Sequence, residues 1–392
     1  MLRCIIAIIC GKDFWFAIRM QLLFTNNHFV DIRRILVKKK ILFTIAHLEF
    51  SNGVCNSLVE LCNSLNSEEY EITVMPLFRC DKHFAQKFCH HVRIKKAFGF
   101  YFRGFSQIIR RLPQKWLYNF FVKEKYDVEI AYQCFCSTSL LGASSNKNAK
   151  HIAWMHGYDE QDIKWHQQFD YIVACAKSTA EEYKKVFKYP ERITYLYNLV
   201  NESVIQEKSK ETINIKETED FVFCSVGRLS PEKGYYRLLQ CHKRLLDDGF
   251  KHKVWIVGDG PEREKLEAFI KQNNLEDSAL LIGFDANPFK YVVKSDMFVC
   301  SSFNEGMSTV CVEALLLGKS VLSTEVNGAK ELVCDNGCGI MVSNDDDALY
   351  DGMKYILTNK DQISRYEKRI AIIDNLRYED RKRAMSSFFE KL

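Results

Sequence analysis

The stretch DMFVCSSFNEGMSTVCVEALLLG, residues 296–318, indicates the architecture of this chain more sharply than any other. It starts with an apolar strand pattern at 296–300, passes through a polar turn, and ends in an apolar run followed by Gly318, a residue type common just after a helix. We therefore predict a strand, a loop that carries Glu305 and a helix that carries Glu313. At the carboxyl edge of a parallel sheet, such a helix N-terminus is a ready anion site. The two glutamates would place hydrogen-bond acceptors for hydroxyl groups beside it.

A second unit of the same kind lies upstream in GRLSPEKG, residues 227–234. It follows the apolar run FVFCSV at 221–226, and Pro231 falls near the first turn of the helix that comes next. Arg228 and Lys233 are thus predicted at the mouth of a strand-to-helix turn. There, a fork-shaped guanidinium and a point-charge ammonium can share a diphosphate.

Apolar runs of strand length alternate with segments of helical periodicity along most of the chain. The predicted strands are 41–46, 71–75, 127–132, 151–155, 170–175, 221–226, 253–257, 279–282, 296–300 and 320–323. Alternation of this kind predicts parallel sheets with helices on both faces. The sequence therefore predicts an α/β protein with two Rossmann-like domains.

Composition suggests where the domains begin and end. We predict an N-terminal extension over residues 1–40, a first domain over 41–200, a polar linker region over 201–220, a second domain over 221–370 and a C-terminal helix over 371–392. The apolar run CIIAIIC within the extension is far shorter than the roughly 20 residues that span a bilayer.

Together these motifs resemble the retaining glycosyltransferases of family four, which have the GT-B fold. The resemblance is close over residues 221–342 and looser elsewhere. It implies parallel sheets that face a central cleft, and a terminal helix that crosses back onto the first domain. It also implies that Arg228 and Lys233 bind the donor diphosphate. By the same resemblance, Glu305 contacts the transferred sugar and Glu313 contacts the ribose.

Further candidate residues follow other predicted strands. The resemblance places His156 near the donor sugar, and we interpret it as a catalytic residue rather than a structural histidine. Asn52 and Gly53 fall at a strand-to-helix turn where glycine lets the backbone approach a ligand. Gly283 and Phe284 are candidates for contacts to a nucleobase, with strand-end packing as the alternative. The other predicted substrate-binding residues are Gly227, Gly306, Met307, Ser308, Thr309 and Val310.

The resemblance implies retaining transfer of a sugar from a nucleotide diphosphate donor to an acceptor hydroxyl, in cell-surface polysaccharide or lipid-linked glycan synthesis. A UDP-sugar is favoured because the STV at 308–310 resembles polysaccharide transferases of that kind. The expected reaction needs no cofactor and no metal. A GT-B phosphorylase-like enzyme with a lysine-bound pyridoxal group and a non-catalytic nucleotide-sugar-binding protein are the alternatives. The identities of the sugar and the acceptor, and the oligomeric state, stay open.

The segment from residue 87 to 125 carries ten Lys or Arg side chains against a single acid, Glu124. Aromatic residues lie among these cations: Phe98, Phe100, Tyr101, Phe102, Phe105, Trp116, Tyr118, Phe120 and Phe121. This pattern suits an anionic membrane surface; nucleic acid could use it too, but we predict no nucleic-acid partner. An ordinary solvated face above an aromatic core is the alternative. Fifteen cysteines without a convincing secretion signal favour a reducing compartment, so we expect a cytoplasmic protein, peripheral on the inner face of the cell membrane.

Overall fold

Seven parallel strands form the first of two sheets in the computed structural model, which describes residues 38–49, 53–157, 163–215, 218–371, 373 and 376–392. The strands are β1 (Lys39–Leu48), β2 (Tyr70–Cys80), β3 (Val92–Ile94), β4 (Val128–Ala131), β5 (Lys150–Met155), β6 (Tyr171–Ala174) and β7 (Ile193–Tyr195). Their order across the sheet is β3-β2-β1-β4-β5-β6-β7. The central strands are buried apolar runs because both faces of the sheet are covered. Most of the predicted extension, residues 1–37, lies outside the described residues.

Six further parallel strands form the second sheet. They are β8 (Phe221–Val226), β9 (His252–Val257), β10 (Ala279–Gly283), β11 (Met297–Cys300), β12 (Val321–Thr324) and β13 (Gly339–Val342), in the order β10-β9-β8-β11-β12-β13. Both sheets thus reverse their strand order between the first and fourth strands, as Rossmann-like sheets do. This confirms the prediction of two Rossmann-like domains. Ligands of such sheets bind at the carboxyl ends of the strands at the reversal.

Helices connect the strands in both domains. The first domain contains α1 (Gly53–Ser64), α2 (Lys82–Ala85), α3 (Phe105–Arg111), α4 (Gln114–Phe121), α5 (Cys136–Gly142), α6 (Ile163–His166) and α7 (Lys177–Val186). Then follow α8 (Glu202–Ser209), α9 (Tyr235–Asp247), α10 (Arg263–Gln272), α11 (Phe289–Val292), α12 (Thr309–Leu316), α13 (Asp346–Thr358), α14 (Asp361–Ile370) and α15 (Tyr378–Lys391). Short 3-10 turns cover Pro190–Arg192 and Pro231–Lys233, and a π-helical turn covers Lys330–Cys334.

The last helix, α15, packs against the first domain although it follows the second in sequence. Met385 and Phe389 are buried in the first domain's core. The ring of Phe389 lies parallel to that of Trp154, with 6.4 Å between centroids, and edge-on to that of Tyr70. A fully buried Phe stabilises a fold by roughly 1.5–3 kcal/mol, so α15 contributes to the stability of the first domain.

The predicted linker region, residues 201–220, is only partly extended. Its first half forms α8, which is capped by Asn201, whose side chain accepts a hydrogen bond from the Val204 N–H at 3.2 Å. Ile205 buries against the core of the second domain. This helix is stabilised by the Asn201 N-cap and by one buried apolar residue, Ile205. It lacks the repeated apolar residues from which a helix is recognised in a sequence.

Three strands, β3, β7 and β13, were missing from the sequence prediction. Each has only three or four residues, and each lies at an edge of its sheet. Short edge strands are partly exposed and too brief to show a reliable hydrophobic period.

Two histidines form a buried hydrogen-bonded pair in the second domain. His242 Nδ1 lies 2.8 Å from His252 Nε2, and His242 Nε2 lies 2.9 Å from Ser278 Oγ. Burial lowers the pKa of His242 to about 3 and lowers that of His252 as well. Both rings are therefore neutral in the folded protein at neutral pH.

Acidification should destabilise the second domain through this pair. A histidine of the unfolded chain takes up a proton below pH 6.5 while the buried ring does not, so stability is present above pH 6.5 and is lost as pH falls towards 3. Between pH 6.5 and 5 we expect His242 to contribute a loss of roughly 1.4 kcal/mol per pH unit, and His252 to add a loss in the same direction. Urea titrations across this range should show a shallower pH slope in His242→Gln, whereas His90→Gln, at an exposed position, should keep the wild-type slope. Equal slopes in all three proteins would contradict this account.

Candidate active site

The strand order reverses between β8 and β11 in the second sheet, and the two predicted motifs follow these strands directly. The turn after β8 is held by Gly227, whose N–H donates to Val257 O at 3.0 Å. After the turn Pro231–Lys233, the chain enters α9 through Gly234, which has a φ of 67°. A Cβ at Gly234 would collide with the carbonyl oxygen of Ser301, so only glycine lets the two motifs approach this closely.

Lys233 and Glu305 form an ion pair at this reversal. The Lys233 Nζ lies 2.7 Å from the Glu305 Oε1, which also accepts a hydrogen bond from Ser302 Oγ at 2.7 Å. Burial by itself would lower the pKa of Lys233, but attraction to the Glu305 carboxylate and their hydrogen bond outweigh it, and the pKa is raised. The pair lines a small cavity together with Ser225, Val226, Tyr235, Phe298, Cys300, Ser301, Ser302 and Val310. The structure thus brings the two motifs together through a charge pair, which the sequence did not predict.

Arg228 lies on the same turn but is exposed. Within the described residues, its guanidinium has no hydrogen-bond or ion-pair partner, so its five donors are available to an anion. The part of the chain that the structure describes contains no group of three or more His, Cys, Asp or Glu side chains placed to hold a metal ion. Arg228 and Lys233 place two cationic side chains at this turn, one exposed and one paired with Glu305.

Arg237 holds the start of the loop that carries Glu305, and the sequence motifs did not indicate this role. Arg237 is only 2% exposed. Its Nε donates to Ser301 O at 2.7 Å and its Nη2 donates to Ser302 O at 2.7 Å, while its guanidinium stacks 3.8 Å from the Phe303 ring centroid. An arginine inside the apolar period of YYRLLQC was the available signal, because a buried charge requires specific partners.

Glu313 lies in α12, as the sequence pattern predicted. It is half-buried, and burial raises the pKa of its carboxyl group to about 8. Within the described residues, this carboxyl group has no hydrogen-bond partner. A carboxyl group in that state gains from ligand hydroxyls that donate hydrogen bonds to it, because they replace water lost on burial.

His156 follows β5 and reaches the same region from the first domain. Burial lowers its pKa to about 3, although a hydrogen bond with the backbone of Tyr132 opposes this shift. Its Nε2 is buried without a partner among the described residues. A Cβ at Gly306 would collide with the carbonyl oxygen of His156, so the Glu305 loop and the end of β5 are in direct contact. His156 is therefore a neutral imidazole at the boundary between the domains.

The residues after Glu305 lead into α12. Gly306 O accepts a hydrogen bond from Thr179 Oγ1 of the first domain at 3.5 Å. Met307 is buried, Ser308 occupies the N-cap position, and Thr309 begins the helix. The other predicted residue here, Val310, lines the cavity beside the ion pair. This part of the loop therefore contacts the first domain through Gly306 and begins α12 at Thr309.

The remaining predicted site residues are more scattered. Gly283 has a φ of 90°, and its carbonyl oxygen accepts from Gly258 N–H at 2.8 Å, while the Phe284 side chain is 61% exposed. Gly53 begins α1, and a Cβ there would meet open space, so no close approach within this structure requires glycine. Asn52 lies outside the described residues.

Solved structures with two facing Rossmann-like domains share this architecture. Anabaena HepE in complex with UDP and glucose superimposes with a TM-score of 0.73 over 90% of this chain and 100% of that chain, at 17% identity. Sucrose-phosphate synthase of Thermosynechococcus elongatus gives a TM-score of 0.74 over 90% of this chain and 99% of that chain, at 14% identity. The fold is GT-B.

Two family profiles match the sequence in adjoining segments. The profile of Glycosyltransferase Family 4 covers residues 51–204, and that of Glycosyl transferases group 1 covers residues 206–375. The chain belongs to the group 1 glycosyltransferases of family four. The boundary between the two matches falls near residue 205.

Individual relatives agree with this assignment. N-acetylgalactosamine-N,N'-diacetylbacillosaminyl-diphospho-undecaprenol 4-alpha-N-acetylgalactosaminyltransferase of Campylobacter jejuni is 34% identical over 203 residues, 51% of this chain and 54% of its own. The uncharacterized glycosyltransferase MJ1178 of Methanocaldococcus jannaschii is 25% identical over 319 residues, 78% of this chain and 84% of its own. The chain spans about half or less of the length of the first curated relatives it matches.

Proposed function

We propose that this protein transfers a sugar from a nucleotide diphosphate donor to an acceptor hydroxyl group, with retention of anomeric configuration. The observation that carries the proposal is the Lys233–Glu305 ion pair at the strand-order reversal, beside the exposed Arg228. A cation site for a diphosphate and a carboxylate for sugar hydroxyls then lie next to each other. Such a pairing suits a ligand in which a sugar is joined to a diphosphate.

Each residue has a proposed part in donor binding. Lys233 and Arg228 stabilise the negative charge that develops on the leaving diphosphate, and this contribution is strongest in a cleft from which water is excluded. Because an ammonium has three N–H donors, Lys233 can contact a phosphate oxygen and keep its bond to Glu305. Glu305 then orients the transferred sugar, and Glu313 accepts hydrogen bonds from the ribose.

Retention is proposed to follow from departure and attack on the same face of the sugar. The bond from the anomeric carbon to the phosphate oxygen breaks as the acceptor oxygen approaches. The acceptor proton passes to the leaving phosphate oxygen, so no protein nucleophile is required. His156 is neutral, because its pKa is about 3, so it can contact a sugar hydroxyl but adds no positive charge.

A UDP-sugar donor and a lipid-linked or other glycan acceptor are the proposed substrates. Anabaena HepE, which shares the fold, has been crystallised with UDP and glucose and with UDP-glucose. The Campylobacter relative is named for an acceptor joined through a diphosphate to undecaprenol. These names support a UDP-sugar donor and a lipid-linked acceptor. We propose that the enzyme acts from the cytoplasm in cell-surface polysaccharide or lipid-linked glycan synthesis.

Product analysis with defined donors tests the proposed function. The protein should release nucleotide diphosphate from at least one UDP- or GDP-sugar when a glycan acceptor is present, with UDP-sugars preferred. Nuclear magnetic resonance of the product should show the anomeric configuration of the donor. Formation of a sugar 1-phosphate from a glycan and added inorganic phosphate would favour a phosphorylase-like enzyme instead. Binding of nucleotide with no release of nucleotide diphosphate would favour a binding protein.

The basic and aromatic segment, residues 87–125, is divided between core and surface. Phe105 and Tyr118 are buried, the latter donating a hydrogen bond to Glu129 Oε1 at 2.6 Å, so part of the predicted membrane surface belongs to the core. Other rings of the segment are exposed: Phe100, Phe102, Trp116 and Phe120. The structure shows no helix, within the described residues, that is long and apolar enough to cross a bilayer. We propose that the exposed rings and nearby cations dock the first domain on anionic lipid.

Docking of this kind should weaken when cations are removed. Replacing Arg110, Arg111 and Lys115 with alanine should weaken the affinity for phosphatidylserine vesicles, measured by sedimentation at low salt, by about a hundredfold, because each cation near such a surface contributes about 1 kcal/mol. Added salt should reduce wild-type binding by screening. Donor hydrolysis should persist in the triple variant.

A control triple variant removes the same charge elsewhere. Lys251, Lys265 and Lys271 are exposed on the second domain, and their replacement with alanine should leave vesicle binding close to wild type. Equal loss of vesicle binding in both triple variants would show that binding depends on the net charge of the protein and not on this segment. Absence of wild-type binding at low salt would leave the segment an ordinary solvated face and favour a soluble acceptor.

A further inference from the structure

One carboxylate of the second domain binds the N-terminus of a first-domain helix. Glu331, in the turn Lys330–Cys334, accepts hydrogen bonds from Lys177 N at 3.0 Å, Ser178 N at 3.2 Å and Ser178 Oγ at 3.0 Å. The Tyr197 hydroxyl donates a fourth at 2.6 Å. The unpaired N–H groups at the start of α7 and the positive end of its dipole favour a carboxylate at this place. Glu331 thus caps a helix that belongs to the opposite domain.

Neighbouring contacts extend the same interface. Gly328 N donates to Ser178 Oγ at 3.0 Å, and Asn327 Nδ2 donates to Glu182 Oε2 at 3.0 Å. Thr179, the third residue of α7, donates a hydrogen bond from its hydroxyl to the carbonyl oxygen of Gly306, the residue directly after Glu305. The first turns of α7 therefore contact both the Glu331 turn and the loop that carries Glu305.

Tyr197 links this contact to the last helix. The guanidinium of Arg381, on α15, lies 5.3 Å from the Tyr197 ring centroid, and its Nη1 donates to Asn198 O at 2.8 Å. Arg381 is buried, so a nearby negative charge is favourable to it. Glu331, Tyr197 and Arg381 join the second domain, the segment before α8 and the C-terminal helix at one place.

We propose that Glu331 is a positioning residue that holds the two domains closed and so seats the Glu305 loop against His156. This inference rests on the proposed glycosyl transfer and deepens it by naming what closes the cleft. Closure excludes water from the donor and completes the site with residues of both domains. Glu331 touches no proposed substrate position and acts through α7 and the loop.

The chemistry of the contact specifies a test variant. All four groups around Glu331 donate hydrogen bonds, so both of its oxygens act only as acceptors. In Glu331→Gln an NH₂ group replaces one of the two oxygens. Because an NH₂ group is itself a donor, it cannot accept the hydrogen bonds that the surrounding N–H and O–H groups donate to that oxygen. Volume and shape are preserved, and the contact between the domains is weakened.

Three measurements distinguish a closing contact from a merely structural one. In Glu331→Gln the affinity for UDP should stay within about twofold of wild type, because the proposed nucleotide contacts are unchanged. The rate of transfer should fall about tenfold, and the ratio of donor hydrolysis to transfer should rise, since an open cleft admits water. Hydrogen exchange at the Lys177 and Ser178 amides should accelerate, because these amides lose their acceptor.

Two further variants provide a partial loss of the contact and a control. Tyr197→Phe removes one of the four hydrogen bonds and should give a smaller change in the same direction. Asp335→Asn alters an exposed carboxylate directly after the same turn and should behave as wild type. If Glu331→Gln does not fold, Ser178→Ala removes part of the contact from the first domain and should raise the hydrolysis ratio by itself.

The outcomes separate this inference from the proposed function. Unchanged hydrolysis-to-transfer ratio and unchanged amide exchange in Glu331→Gln would overturn the closing role. If wild type releases no nucleotide diphosphate from any donor, the proposed function fails, and amide exchange at residues 177 and 178 still decides whether Glu331 holds the domains together. Loss of UDP affinity as large as the loss of transfer would show that Glu331 acts on the second domain alone.

Discussion

Replacing Lys233 with alanine is expected to lower turnover by roughly a hundredfold or more while the protein stays folded. The ammonium is the proposed contact to the leaving diphosphate, and it lies 2.7 Å from Glu305 in a partly buried site. Removing it takes away a charge-assisted contact in the transition state and also leaves Glu305 without its counter-charge. Turnover with a saturating donor, together with circular dichroism of the folded variant, measures the effect.

A lysine ion pair on the helix surface provides the matched control. The Lys243 Nζ lies 2.5 Å from the Asp247 Oδ2 on the exposed side of α9. Lys243→Ala should therefore change turnover less than twofold. Arg228→Ala should share the hundredfold loss, because its exposed guanidinium is the second proposed diphosphate contact. Near-normal turnover in folded Lys233→Ala would remove the diphosphate assignment.

Replacing Glu313 should weaken binding of the bare nucleotide, whereas replacing Glu305 should not. Glu313→Ala is expected to weaken UDP binding at least tenfold, because the ribose hydroxyls would lose the half-buried carboxyl group that accepts their hydrogen bonds. Glu305→Ala should keep UDP affinity or raise it slightly, since Lys233 is freed for the phosphate, and should reduce transfer. Calorimetric titration of both variants with UDP decides between these roles. Equal affinity loss in the two would mean that the roles are wrong.

The raised pKa of Glu313 adds a pH signature to this result. Below about pH 8 its carboxyl group is mostly protonated in the free protein, and the ionised form is the better acceptor for ribose hydroxyls. UDP affinity of wild type should therefore rise between pH 6.5 and 8.5. Glu313→Gln cannot ionise, so any pH dependence that remains in it belongs to the nucleotide or to other groups. A wild-type profile that parallels that of Glu313→Gln would contradict a carboxylate contact.

Local sequence patterns were sufficient for the central part of both sheets. Each predicted strand corresponds to an observed strand within a few residues, because buried parallel strands are continuous apolar runs that stand out from amphipathic helices. The loop position of Glu305 and the helix position of Glu313 were also predicted, since a strand, a polar turn and a helix follow one another within 23 residues. The short edge strands and α8 lacked such runs and were missed.

Contacts between distant residues were decided only by the tertiary structure. Lys233 and Glu305 are 72 residues apart, and Lys177 and Glu331 are 154 apart. Periodicity and turn chemistry report on neighbours along the chain, whereas an ion pair or a cap between domains depends on how whole sheets pack. The burial of His156, Phe105 and Arg237 was hidden for the same reason. The sequence by itself therefore determined which strand ends carry the chemistry, and tertiary packing determined which side chains meet there, which are buried and which carboxylate joins the two domains.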